Sequence, residues 1–151
     1  MIRIFLFISL LLPVGNSAYS MTENCDIVGD NVKQIKKKDK ESCLSECTSL
    51  DKCKAAVFIT SWNMCFLKGS VKRKVNVIMS SSLKNGSIQK GLDYSGKDLS
   101  NHVEPTAKAC LLRCNGMDSC TGITYIGGYD TCWIKHTQGK LYPKKFYCYQ
   151  K

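Results

Sequence analysis

The cysteines of this chain repeat. Cys43, Cys47, Cys53 and Cys65 obey a C-x3-C-x5-C-x11-C rule, and Cys110, Cys114, Cys120 and Cys132 obey it again 67 residues later. Four spacings matched twice predict two copies of one small cross-linked unit. A unit of about 60 residues buries too little apolar surface to be securely stable alone. Covalent staples, worth roughly 2–4 kcal/mol each, supply the difference. The expectation is therefore two small domains, over 21–81 and 91–151, joined by a linker at 82–90.

The stretch 1–20 reads as a secretory signal. Arg3 gives a positive start, Ile4 to Val14 an apolar run broken by Ser9, and Ala18-Tyr19-Ser20 a small-x-small cleavage site. An apolar run of about 11 residues is too short for a hydrocarbon core that needs about 20, which disfavours a membrane span. Export decides how the cysteines are read. Ten of them in an oxidising compartment imply five disulfides, where a cytosolic chain with the same spacing would first suggest metal. Zinc is disfavoured further because the histidines number two, His102 and His136, and no C-x2-C pair occurs. No cofactor is expected.

Formal net charge is +10, and loss of Arg3 with the leader leaves one positive charge fewer. The excess is spread evenly along the chain. Export disfavours nucleic acid as a partner and leaves anionic glycans, acidic proteins or anionic membrane surfaces. Lysines that keep a small secreted protein soluble are an equally good explanation.

Within each copy the pattern is strand, helix, strands. Thr106 to Asn115 contains good helix formers, with Pro105 before it and Gly116 as a stop. Cys110 and Cys114 stand at i and i+4, on one side of that helix. Lys40 to Leu50 repeats the design around Cys43 and Cys47. Strand-like runs follow: 55–60 and 65–68 in the first copy, 122–126 and 132–135 in the second. Before each helix, Cys25-Asp-Ile-Val-Gly29 aligns with Leu92-Asp-Tyr-Ser-Gly96, sharing the aspartate and the glycine. The fold class is α+β, with one helix stapled onto an antiparallel sheet in each unit.

A helix carrying C-x3-C, a third cysteine soon after, and a strand of the form Cys-aromatic-aliphatic-Lys resemble the PAN/apple domain. Cys65-Phe66-Leu67-Lys68 and Cys132-Trp133-Ile134-Lys135 carry the last element in both copies. Sequence alone leaves many pairings open among ten cysteines. The resemblance implies Cys43–Cys65, Cys47–Cys53, Cys110–Cys132 and Cys114–Cys120. Apple domains often add a bridge between first and last strands. Here the first copy keeps one half of it, Cys25, with Leu92 as its counterpart. The second copy keeps the other half, Cys148, with Ser81 as its counterpart. The complementary leftovers imply a Cys25–Cys148 bridge between the ends of the chain, or else one between two chains. One geometry pairs the first strand of copy one with the last strand of copy two, and sets Val75–Ser81 beside Leu92–Gly96 as a hairpin. Two side-by-side domains with a surface clamp are the plainer version.

No catalytic constellation appears. Neither histidine sits in a nucleophile or metal motif, and paired cysteines remove a thiol nucleophile. The expectation is a non-enzyme. Strand alternation says more about binding. If Cys132 reaches the helix, Ile134 does too, while Trp133 and Lys135 face away. Phe66 and Lys68 face away in the first copy by the same rule. Around these strands the second copy adds Tyr125, Tyr129, Asp130, His136 and Tyr142. Rings stack on sugar faces, Lys, Asp and Tyr bond hydroxyls, and Tyr and Trp anchor protein interfaces. The same rings also suit a second small core between the copies. Two basic clusters, Lys33, Lys36, Lys37, Lys38 and Lys40, and Lys68, Lys72, Arg73 and Lys74, suit either an anionic glycan or plain solvation. Asn85-Gly86-Ser87 is an N-glycosylation acceptor within the linker.

The resemblance to tandem apple-domain proteins implies a secreted recognition or adhesion protein. It would bind another secreted or membrane-anchored protein, such as a host or parasite surface glycoprotein. A glycan-binding lectin, of galactose type or for acidic or sulfated glycans, is the alternative. The tandem arrangement is similar to apicomplexan microneme adhesins and lectins, which implies storage in secretory organelles and a part in host-cell invasion.

Overall fold

A computed structural model describes residues 19–151. The expected leader, 1–20, lies almost wholly outside the described residues. The first copy holds β1 (Thr22–Glu23), β2 (Cys25–Val28), β3 (Asn31–Lys36), α1 (Lys40–Ser49), β4 (Ala55–Ile59), β5 (Met64–Lys68), β6 (Arg73–Asn76) and β7 (Ile78–Leu83). The second repeats it as β8 (Gln89–Lys90), β9 (Leu92–Tyr94), β10 (Asp98–Val103), α2 (Ala107–Asn115), β11 (Gly122–Gly127), β12 (Thr131–Lys135), β13 (Leu141–Pro143) and β14 (Phe146–Gln150). The 67-residue offset that relates the cysteines therefore relates every element.

Both helices start on a side-chain cap. Asp39 accepts from the Ser42 amide and Thr106 from the Ala109 amide, each satisfying a donor that the first turn leaves free. Each helix buries its two cysteines and little else, so its attachment is largely covalent. Disulfides join Cys43 to Cys65, Cys47 to Cys53, Cys110 to Cys132 and Cys114 to Cys120, and Cys25 joins Cys148.

The two main sheets exchange a strand. The first runs β1-β14-β4-β5-β3 and the second β10-β12-β11-β7-β8. Thus β14, from the end of the second copy, lies antiparallel to β4 with Cys148 opposite Val57. In return β7, from the end of the first copy, lies against β11 with Ser81 opposite Thr124. The two registers are related by the same offset, so the exchange has the symmetry of a two-fold axis. Two details correct the sequence reading. The hairpin partner of β7 is Gln89–Lys90, whereas Leu92–Tyr94 pairs with β13. Cys25–Val28 pairs with β6, not with the last strand; it is Thr22–Glu23, just before it, that pairs with β14. Cys25 then reaches Cys148 across the layer through sulfur. Residues 82 and 83, read above as the start of a linker, continue β7, because its ladder with β11 satisfies their backbone and the Ser82 hydroxyl bonds the Leu83 carbonyl. The turn proper begins at Lys84.

Each main sheet has a helix on one face and a two-stranded ribbon on the other: β2–β6 in the first copy, β9–β13 in the second. Alternation along the strands divides the side chains accordingly. Ala56, Phe58, Cys65 and Leu67 pack under α1. Ala55, Val57, Ile59, Phe146 and Cys148 pack under the ribbon with Ile27, Val75 and Val77.

The Cys25–Cys148 bridge closes 123 residues, whereas Cys47–Cys53 closes 6. Replacing both members of the long bridge with alanine is expected to lower unfolding free energy by about 5 kcal/mol in urea titration, against about 2 kcal/mol for the short one. Equal losses would mean that joining the chain ends contributes nothing special.

Candidate ligand cleft

In the second copy the space under the ribbon is not a core. Positions that are Val57, Val75 and Val77 in the first copy are Thr124, Tyr142 and Lys144 in the second, and Phe66 becomes Trp133. The result is an open cleft of about 360 Å³ between the β9–β13 ribbon and the second sheet. That volume falls within the usual range of small-molecule sites, about 300–1,000 Å³. Met79 of the exchanged strand β7 and Trp62, on a 3-10 turn between β4 and β5, complete its lining from the first copy.

Asp93 organises the polar floor. One carboxylate oxygen accepts from the Tyr94 amide at 2.8 Å and the Thr124 hydroxyl at 2.7 Å. The other accepts from the Tyr142 hydroxyl at 2.7 Å and the Lys144 ammonium at 2.8 Å. Burial raises its pKa, but the bonds from Lys144, Thr124 and Tyr142 outweigh that and hold the carboxyl below its ordinary value. Burial and the same carboxylate push the Tyr142 hydroxyl well above the usual phenol range. Asp93 and Lys144 are both almost inaccessible, so the pair is stable only because each partner is satisfied. Lys144 also lies 4.0 Å from the centroid of the Trp62 ring, a cation–π contact. A second pair, Lys135 with Asp98, spans β12 and β10 at the cleft edge. Two cations and two carboxylates leave the lining formally neutral.

The neighbouring Tyr94 is 1% exposed and fixes the ribbon to the sheet. Its ring lies so close to Gly122 that a Cβ there would stand 2.6 Å from it. Its hydroxyl accepts from the Gly139 amide at 2.9 Å.

Of the residues singled out from sequence, Trp133, Lys135 and Tyr142 come together here. The others do not. Tyr125 turns to the α2 side, where it packs with the helix cysteines and bonds Asp130; burial and that carboxylate push its hydroxyl up to about 12. Tyr129 packs against the first copy's core, its hydroxyl donating to Asp26 at 2.8 Å. The Gly128 turn that delivers it has φ of +86°, and a Cβ there would meet the Asn76 carbonyl at 2.1 Å. This turn is a packed contact, not a free loop tip. His136 is exposed outside the cleft, and Phe66 packs on the first core with Lys68 over its ring. Asn85 is exposed in a turn, where its amide donates to the Asn115 side chain. The basic clusters are paired in part: Lys33 and Lys37 both bind Glu46, drawing its carboxyl down to about 2, and Lys72 binds Asp30, whereas Arg73 stacks over the Tyr129 ring. Sequence reasoning missed Trp62, Asp93 and Lys144. The aspartate shared by the two copies was the available signal for one of them.

A carboxyl whose folded pKa is depressed contributes stability above its unfolded value and loses it as pH falls through the folded one. Asp93 should therefore destabilise the protein as pH drops below about 3.8, its ordinary value. In Asp93→Asn that acid component should vanish. Stability at neutral pH should fall by about 3 kcal/mol, because Lys144 is left buried without its partner. Urea midpoints measured across pH 2–7 check both effects.

Among curated proteins none matches the chain. A family model described as PAN domain matches residues 18–94, just over half of the chain, and a second PAN domain model matches residues 92–135. PAN domains are binding modules for protein or carbohydrate, not catalysts, and with five disulfides they point to an extracellular protein. Among the described residues no helix is long and apolar enough to cross a membrane. The two helices, each on an antiparallel sheet and held by the same sulfur pattern, make this chain a tandem member of the PAN domain family.

Proposed function

We propose that this is a secreted, non-enzymatic recognition protein that engages a surface or secreted glycoprotein by holding one of its sugar residues in the second copy's cleft. The carrying observation is a cleft lined by two indole rings, Tyr142 and two Lys–Asp pairs, open to solvent and of small-molecule size. Indole faces pack against the C–H face of a pyranose, and fixed ammonium, carboxylate and phenol groups bond its hydroxyls. Two of the four bonds to Asp93 hold Tyr142 and Lys144 before any ligand arrives, which lowers the ordering cost of binding.

Charge balance favours an uncharged sugar over a sulfated or sialylated one. Each lining lysine already has its own carboxylate, so the cleft offers no unneutralised cation to an anionic group. The first copy serves as scaffold in this reading. Its equivalent space is filled by valines, Phe146 and Tyr129.

On a glycan array the exported, oxidised protein should retain neutral glycans. Affinity for such a glycan should change less than about twofold between 50 and 500 mM salt, because no net charge is neutralised. Retention of heparin-type glycans alone, released by moderate salt, would replace the cleft with a basic surface as the site. A blank array together with a stoichiometric protein partner in a secretome pull-down would remove the sugar altogether.

A further inference from the structure

The chain has two tryptophans, and both line the cleft, although they come from different copies. Trp133 is on β12. Trp62 reaches in from the first copy on the turn between β4 and β5. Its counterpart at the 67-residue offset is Tyr129, and the two residues meet opposite circumstances. Tyr129 enters the first copy's equivalent space, where Val77 leaves room and Asp26 accepts its hydroxyl. Trp62 meets Lys144 where Val77 would stand, and Asp93 is already occupied by Lys144 and Tyr142. The indole therefore stops above the lysine and remains 50% exposed at the mouth of the cleft.

We propose that Trp62 is a specificity-determining residue of this site, supplied by the first copy to complete the second copy's cleft. The inference rests on the saccharide reading above. Three observations carry it. A half-exposed indole is costly unless something covers it, and the protein covers the equivalent Tyr129 but not Trp62. Its orientation is not free, because Lys144, pinned by Asp93, holds one side of the ring. The turn that carries it is also tied to the segment between β13 and β14, next to Lys144. The Thr60 amide donates to the Lys145 carbonyl, and the Lys145 amide donates to the Thr60 hydroxyl. A sugar in the cleft would then touch a ring from each half of the chain, and neither half alone would provide the whole site.

Because both tryptophans are at the cleft, emission reports on it directly. Trp133→Phe leaves Trp62 as the only indole, and Trp62→Phe leaves Trp133. The full-length oxidised protein and these variants are titrated with methyl β-D-galactoside, methyl β-D-glucoside, methyl α-D-mannoside and N-acetyl-D-glucosamine. At least one glycoside should change the emission of both single-tryptophan proteins. Trp62→Ala should weaken its binding about tenfold or more, and Trp62→Phe, which keeps a ring, less than about threefold. A half-exposed side chain is dispensable for folding, which circular dichroism of each variant checks. A glycoside that perturbs Trp133 alone and binds Trp62→Ala as tightly as wild type would overturn the role of Trp62 while leaving the sugar reading intact. No response of the wild-type protein to any of the four would overturn both.

Discussion

The reciprocal placement of β7 and β14 is the constraint from which the rest of the architecture follows. Each strand hydrogen-bonds along its whole length to the sheet of the other copy. Neither sheet is complete without it, since β14 separates β1 from β4 and β7 separates β8 from β11. Backbone pairing of this kind is obligatory once the strands are buried, because unpaired amides and carbonyls would have no water to bond. The sulfur bridge from Cys25 to Cys148 fastens one side of the exchange. On the other side, the corresponding positions hold only a hydrogen bond, from the Ser81 hydroxyl to the Leu92 carbonyl at 2.9 Å.

That asymmetry extends through the whole layer beneath the ribbons. One backbone plan supports a dry core in the first copy and a polar floor in the second, through few changes in side chain. Val to Thr, Val to Tyr and Val to Lys at three facing positions would each be ruinous if made singly in a dry core, because each buries an unmet polar group. Made together with an aspartate already at hand, they satisfy one another. Among the described residues no buried side-chain nitrogen or oxygen lacks a partner. The same backbone plan thus carries an apolar core in one copy and a polar cleft in the other.

Much of this could be read from the sequence because cysteine spacing and helix caps are local or strictly periodic. The stapled helices, the strands before and after them, and the outward face shared by Trp133 and Lys135 all follow from such short-range rules. The site was legible only in part. Alternation tells which face a residue occupies but not what lies over that face. Tyr129 looked like a loop-tip ligand and is packed between copies; Tyr125 belongs to the helix side. Trp62 stood alone in a short turn and Lys144 among many lysines. Only the tertiary exchange brings them together over Asp93.

The long bridge also sets an order of events during biosynthesis. Within this sequence Cys25 precedes the other cysteines and its partner, Cys148, follows them. The first sheet lacks an interior strand until residues 146–150 have been made, well after the Cys43–Cys65 and Cys47–Cys53 pairs can close locally. Closure of Cys25–Cys148 is thus a late step, and disulfide formation takes seconds to hours, slower than the pairing of strands.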